Sequence, residues 1–122
     1  MGEPHVVTLR ATRDTDLDTL HRFRHDPDPG PDAPDLVRRT VRADGEIVGE
    51  VASWNEGGAT FVAVEARSPS GDDVVRVRAL RLFVDTLPRP LFARAADDDA
   101  ATAAVLGHCG FRRVDGVVHR LD

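Results

Sequence analysis

The stretch RPLFARAADDDAATAAVLGHCGF, residues 89–111, holds two structural elements and the signals that separate them. Leu91 to Ala95 is a short, mostly apolar run, which predicts a buried strand. The aspartates that follow suit the start of a helix, because a side-chain carboxylate accepts hydrogen bonds from its unpaired N–H groups. We therefore predict a capped helix over residues 95–111, with Gly110 at its C-terminal cap.

The residues ahead of that stretch predict another helix, from about Val74 to Leu87. Its apolar residues recur at helical spacing. Pro88 and Pro90 end it, because proline cannot continue a helix. We expect the side chain of Asp72 or Asp73 to cap its N-terminus, which is the commonest use of aspartate at that position.

The remaining regular structure is predicted to be extended. Asp44-Gly45 is the strongest short signal for a two-residue hairpin turn, and the segments Thr40–Ala43 and Glu46–Trp54 flank it. The other strands are predicted at Val6–Arg10, at Thr60–Glu65 after a turn over Asn55–Gly58, and in a last hairpin over Arg112–Leu121.

A first helix is predicted after the opening strand, capped by Thr12 or Asp14. The proline-rich segment 26–34 predicts a loop, followed by a short helical turn at Asp35–Arg39. The resulting order of strands and helices predicts a single α/β (α+β) domain over residues 1–122, with a mixed sheet flanked by helices.

Composition narrows the class of function. The net charge of −5 argues against nucleic acid as a partner. We expect a cytoplasmic protein without a membrane partner, because no apolar run is long enough to span a bilayer and the first ten residues lack signal-peptide features. The single cysteine, Cys109, excludes an internal disulfide and is predicted to be a small buried hydrophobe. The chain has no tyrosine.

Three segments together resemble the GNAT acyltransferase superfamily. They are VTLRATRDTDLDTLHRFRHDP (7–27), ADGEIVGEVASW (43–54) and the stretch 89–111 quoted above. The resemblance implies a GNAT-like mixed sheet. It also implies that acyl-CoA lies in a V-shaped opening between the fourth and fifth strands, here Thr60–Glu65 and Leu91–Ala95.

The resemblance further implies a turn that holds the CoA pyrophosphate, written Gln/Arg-x-x-Gly-x-Gly/Ala, at the start of the helix after the fourth strand. Its three defining positions fall on Gly71, Val74 and Arg76, and all three depart from the pattern. Asp72 and Asp73 would face the dianionic pyrophosphate, and Arg76 and Arg78 would have to offset this repulsion. With acetyl-CoA as the cosubstrate, the implied binding residues are Val64, Asp73, Val74, Arg76, Arg78 and Asp99.

Acyl transfer to an amine needs a base and often an acid. The family pattern suggests Glu65 and Glu50 as bases, and each is alternatively a solvated strand residue. Many GNAT enzymes carry a tyrosine as the acid on the last helix, where this chain has Leu106. His108 is a further acid or base candidate.

Two smaller features complete the site candidates. His21 and His25 are four residues apart and suit either a metal or a solvated last helical turn; we expect no metal. Trp54 and Phe61 either line a pocket for an apolar or aromatic ligand or pack at the rim of the core.

Two functional hypotheses remain open. One is a divergent acyl-CoA-dependent N-acetyltransferase that acts on a small amine or a protein terminus. The alternative is a non-catalytic or CoA-independent GNAT-fold protein that binds a small ligand or a partner subunit in the former CoA cleft. Association into a homodimer is also left open.

Overall fold

A computed structural model of the chain describes residues 6–13, 35–66 and 73–122, in which seven strands form one mixed sheet beside two helices. The strands are β1 (Val7–Ala11), β2 (Val37–Ala43), β3 (Glu46–Glu56), β4 (Ala59–Ala66), β5 (Leu91–Arg94), β6 (Arg112–Asp115) and β7 (Val118–Leu121). The helices are α1 (Val74–Val84) and α2 (Ala100–His108). The predicted mixed sheet flanked by helices is confirmed.

The sheet has the order β1-β2-β3-β4-β5-β7-β6, and only the β4–β5 neighbours in this described sheet are parallel. Phe61 and Phe92 form the register pair that joins them. Beyond this pair β4 continues to Ala66, whereas the chain after β5 turns toward the last hairpin, where the Ala95 N–H donates to the Val117 carbonyl at 2.9 Å. The two strands therefore part, and we call the gap beyond Phe61 and Phe92 the strand opening.

Two hairpin turns fix the register of the antiparallel strands. Asp44 and Gly45 have φ values of 52° and 88°, and Gly57 and Gly58 have φ values of 55° and 84°. Positive φ at both central residues is the geometry of the two-residue turn that suits twisted strands. The first turn confirms the prediction. The second is tighter than the predicted Asn55–Gly58 turn, so β3 and β4 are longer than predicted.

The hydrophobic core lies between the sheet and the two helices. Apolar side chains from α1 and α2 pack on one face of the central strands, and burying each contributes about 1.5–3 kcal/mol. The largest fully buried apolar side chains are Leu80, Leu91, Val41, Val51, Val62, Val75 and Val105.

Helix α1 ends at Val84 rather than at the predicted Leu87. The Thr86 N–H donates to the Phe83 carbonyl at 3.0 Å, and the Leu87 N–H donates to the Val84 carbonyl at 3.2 Å. These bonds span three residues instead of four, so the last turn tightens before Pro88, as is common at helix ends.

Helix α2 begins at Ala100 rather than at Ala95. The Ala95 N–H is used by the last hairpin, as described above. The Asp99 N–H donates to the Ala96 carbonyl at 2.9 Å and closes a turn ahead of the helix. The predicted strand and helix are therefore separated by a short connection.

The helical turn predicted at Asp35–Arg39 is wrong, because β2 begins at Val37. Val37 pairs with Ser53, and the pairing continues through Arg38 and Arg39. Pairing along β3 satisfies the backbone groups of this segment, which outweighs a local turn preference.

Several predictions lie outside the described residues. These are the first helix after Thr12, the loop over 26–34, the pair His21 and His25, and the residues Gly71 and Asp72. Of the helices in the described ranges, none is long and apolar enough to cross a membrane.

Gly49 is expected to be intolerant of any side chain. A Cβ there would lie 1.9 Å from the Glu65 carbonyl oxygen and 2.5 Å from the Ala66 Cα, which are backbone atoms of β4. We predict that Gly49→Ala lowers the free energy of unfolding in urea by about 1–3 kcal/mol or more. The matched control is Gly107→Ala in α2, where a Cβ meets nothing within 4 Å. Gly107→Ala is expected to raise the free energy of unfolding by at most about 1 kcal/mol. Equal effects of the two substitutions would contradict this packing.

Candidate functional site

The strand opening contains a cavity of about 220 Å³, which we call the cleft cavity. Residues 62–65 of β4 form one wall, the end of β5 forms another, and α2 closes a third side. The lining residues used below are Val64, Glu65, Ala63, Arg94, Asp98, Asp99 and Thr102.

A second cavity of about 390 Å³, the aromatic cavity, lies beside the first. Trp54, Phe61 and Val117 line it, whereas α1 and α2 residues line only the cleft cavity. Val62, Ala63, Arg94 and Ala96 line both cavities. The two cavities therefore meet at the strand opening.

Glu50 and Glu65 are directly opposite each other in the β3–β4 register. Glu50 is buried, and its two carboxylate oxygens accept hydrogen bonds from Arg38 Nη1 at 3.1 and 3.3 Å. Glu65 lines the cleft cavity. Of the two carboxylates, Glu65 is therefore the one placed to reach a ligand in the strand opening.

The start of α1 carries an ion pair instead of a side-chain cap. Asp73 is the N-cap residue but makes no side-chain capping hydrogen bond, so the predicted capping by Asp73 is wrong. Its Oδ1 accepts from Arg76 Nη1 at 3.3 Å, and Arg76 Nη2 donates to Thr102 Oγ1 at 2.7 Å. Arg76 therefore links the starts of the two helices.

Asp99 caps α2 with its side chain. Its Oδ1 accepts from the Thr102 N–H at 3.0 Å, and its Oδ2 accepts from the Thr102 hydroxyl at 2.6 Å. These hydrogen bonds lower the pKa of Asp99 below its ordinary value of 3.8. Asp73, Arg76, Thr102 and Asp99 thus form one continuous set of contacts, the helix-start network. Its two carboxylates and one guanidinium leave it net negative.

Aromatic rings form one side of the aromatic cavity. The ring centroids of Trp54 and Phe61 are 6.3 Å apart at an interplanar angle of 21°, and those of Phe61 and Phe92 are 5.7 Å apart. The Arg94 guanidinium lies 4.1 Å from the Phe61 ring centroid, within cation–π range. These four residues, with Glu56, are the aromatic cluster.

Glu56 holds the aromatic cluster together through three hydrogen bonds. Its carboxylate accepts from Arg94 at 3.1 and 2.6 Å through two separate oxygens, and from the Trp54 indole N–H at 2.8 Å. The bonds from Arg94 and then from Trp54 lower the pKa of Glu56 from 4.5 to about 2. The charges of Glu56 and Arg94 therefore balance each other.

Comparisons with known proteins find solved structures that share this architecture. No protein-family model matches the sequence, and a search of curated proteins finds no match. An aminoglycoside acetyltransferase, AAC(6')-Ib, in complex with coenzyme A, matches with a TM-score of 0.78 at 14% identity and 94% coverage of each chain. RimJ from Mycobacterium smegmatis, in complex with CoA-disulfide, gives 0.71 at 18% identity and covers 94% of this chain and 81% of RimJ.

A third solved structure, an acyl-CoA N-acyltransferase from Pseudomonas aeruginosa, gives a TM-score of 0.67 at 14% identity, with 97% of this chain and 99% of that chain covered. The chain has the GNAT fold. At these identities the likeness shows the architecture, and the ligands of these structures are properties of those proteins.

Within the GNAT fold, the predicted binding residues fall into two groups. The first group lies at the site: Val64 and Asp99 line the cleft cavity. Asp99 also belongs to the helix-start network, together with Asp73 and Arg76. Val74 is exposed at the first position of α1, and Arg78 is half-buried on the same helix. Neither Val74 nor Arg78 is among the described residues that line the two cavities.

The two side chains at the end of α2 lie away from both cavities. His108 is exposed, and its carbonyl accepts a hydrogen bond from Arg81 Nη2 at 2.6 Å. The half-buried Cys109 thiol donates to the Val77 carbonyl at 3.5 Å, and burial raises the pKa of Cys109. Neither lines a cavity of the described structure, so we carry neither into the proposed chemistry.

Three residues of the aromatic cluster, Glu56, Phe92 and Arg94, are not among the site residues predicted from the sequence. The sequence does contain a signal for the position of Glu56, because the Gly57-Gly58 pair that follows it is typical of a two-residue hairpin turn. That turn also sets Trp54 opposite Phe61. Arg94 carries no such signal, because its position beside Phe61 depends on the parallel pairing of β4 and β5. Among the described residues, no group of three or more His, Cys, Asp or Glu side chains is arranged to hold a metal ion.

Glu56 is expected to titrate far below an ordinary glutamate. We predict a midpoint near pH 2 for its carboxyl carbon by NMR, and a rise toward 4.5 in Arg94→Ala, which removes the larger cause of the shift. Because its pKa is lowered in the folded state, Glu56 stabilises the fold above pH 4.5 and loses this contribution as the pH falls toward 2. The control Arg113→Ala leaves the midpoint unchanged. A midpoint near 4.5 in the unaltered protein would refute the ion pair.

Proposed function

We propose that this protein is an N-acyltransferase that moves an acyl group from acyl-CoA to an amine. The strand opening is the observation that carries the proposal. In a β-strand every second residue directs its backbone N–H and C=O groups to the same edge. Beyond the Phe61–Phe92 pair, the β4 edge that faces β5 has no β5 register partner in the described sheet. An extended ligand with its own amides, such as the pantetheine arm of CoA, can pair there.

The described residues fit the pantetheine arm of acyl-CoA better than its pyrophosphate. The strand opening suits the acyl-pantetheine arm, because backbone groups of β4 line it over residues 62–65. The helix-start network does not suit a pyrophosphate, because Arg76 is already bound by Asp73 and Thr102 and two carboxylates lie beside it. We therefore expect the pantetheine arm to supply most of the binding energy.

The charge of the cleft cavity supports an amine as the acceptor. Glu65, Asp98 and Asp99 line it, and the charge of Arg94, which also lines it, is balanced by Glu56. A net negative cavity attracts an ammonium group and repels an anionic acceptor. Small amines and protein N-termini have this charge.

Glu65 is the residue that we propose as the base. Bound acyl-CoA would supply the activated acyl group as a thioester. Glu65 takes a proton from the ammonium group; the amine nitrogen then bonds to the acyl carbon as the carbon–sulfur bond breaks, and the nitrogen gives up its second proton to the departing thiolate. Backbone N–H groups of β4 stabilise the negative charge that develops on the acyl oxygen. A thiol has a pKa near 8.5, so the thiolate leaves without a protein acid in a chain that has no tyrosine.

The proposal predicts that acetyl-CoA and acetyl-pantetheine bind with similar affinity. Calorimetry is expected to give dissociation constants within about tenfold of each other, a difference of about 1.4 kcal/mol.

Glu65→Gln is expected to leave acetyl-CoA binding unchanged and to lower the rate of acetyl transfer by about 10²–10⁴-fold. The matched control is Glu46→Gln, because Glu46 is exposed beside the Asp44-Gly45 turn. No binding of acetyl-CoA at millimolar concentration would overturn the proposal.

A further inference from the structure

Three successive cross-strand pairs of β3 and β4 form a graded strip. The pairs are Trp54 with Phe61, Ala52 with Ala63, and Glu50 with Glu65. Side chains alternate between the faces of a strand, so all three pairs lie on one face of the sheet. The strip therefore runs from aromatic side chains, across two methyl groups, to a pair of carboxylates.

The two cavities follow this strip. The aromatic cavity is bounded by Trp54 and Phe61 and extends to Ala63, where the cleft cavity begins and continues to Glu65. Phe61 and Ala63 are two residues apart, which is about 6.6 Å along a strand. A ligand that spans the strip therefore has a flat group at one end and its reacting group a short chain away.

The aromatic end of the strip carries no net charge. Arg94 is bound by both carboxylate oxygens of Glu56, and its guanidinium covers the Phe61 ring. This end therefore offers neither an unbalanced cation for a carboxylate nor an unbalanced anion for a second ammonium group. The opposite end has Glu65, Asp98 and Asp99 around the cleft cavity.

We propose that the acyl acceptor is a primary arylalkylamine, with its ring in the aromatic cavity against Trp54 and its amine at Glu65. This inference rests on the proposed function for the reaction, and on the aromatic cluster for the choice of acceptor. Trp54 is then a specificity residue, because its ring faces the part of the acceptor that does not react. A polyamine lacks the flat group. An amino acid carries a carboxylate, and the described residues of the strip offer no unbalanced cation to bind it.

The test begins with binding in the absence of acetyl-CoA. Phenethylamine and propylamine are compared by calorimetry, and Trp54, the single tryptophan of the chain, reports ring contact by its fluorescence. We expect phenethylamine to bind at least about tenfold more tightly than propylamine and to quench Trp54 in a saturable manner. Equal affinities, or binding without a fluorescence change, would overturn the inference.

Two variants of Trp54 separate ring contact from folding. Trp54→Phe retains a flat ring and is expected to keep phenethylamine binding within about threefold. Trp54→Ala is expected to weaken phenethylamine binding about tenfold, equivalent to about 1.4 kcal/mol, with propylamine binding unchanged. If Trp54→Ala does not fold, Trp54→Phe and the fluorescence titration of the unaltered protein still decide the question.

Turnover with acetyl-CoA distinguishes failure of this inference from failure of the proposed function. We expect phenethylamine to give a higher kcat/KM than propylamine or spermidine, with most of the difference in KM. Acetyl transfer that favours spermidine or propylamine would overturn the arylalkylamine assignment while supporting acyl transfer.

Discussion

The parallel pair of Phe61 with Phe92 joins the two parts of the sheet, and the rest of the structure depends on it. On one side are the four strands that end in β4, and on the other is the group of β5, β7 and β6. Parallel neighbours require a long connection, and α1 lies within it. Because the pairing stops after Phe61 and Phe92, the same contact that closes the sheet also begins the strand opening. Fold and candidate site therefore have a common origin.

Charge distribution divides the site into regions with different tasks. The helix-start network is net negative, and its arginine is held between the two helices by Asp73 and Thr102. This arrangement stabilises the fold where the GNAT resemblance implies a phosphate turn. The aromatic cluster balances its own charges through Glu56 and Arg94. The carboxylates of Glu65, Asp98 and Asp99 line the cleft cavity, and in the proposed function they favour a cationic acceptor over an anionic one.

Local signals predicted much of the fold, and non-local pairing decided the rest. Local signals predicted the Asp44-Gly45 turn and the position of Gly110. Both places require a positive φ, which few residues adopt, and Gly110 has a φ of 92° just after the C-cap of α2. The facing pair Glu50 and Glu65 follows from the Gly57-Gly58 turn, which is shorter than the Asn55–Gly58 turn predicted from the sequence. Asp73 was misassigned because local propensity favours capping, whereas Arg76 from the next turn captures its carboxylate. No local pattern indicates that contact.

Hydrogen exchange of the backbone amides tests most directly whether β4 is the surface that binds the acyl donor. With saturating acetyl-CoA, the account predicts slower exchange over residues 62–65, which face the strand opening, and little change at the start of α1, where the helix-start network remains intact. Acetyl-pantetheine should give the same pattern. Protection confined to the start of α1, with none in β4, would contradict the account, because the ligand would then be held by its phosphates and not by the parted strands.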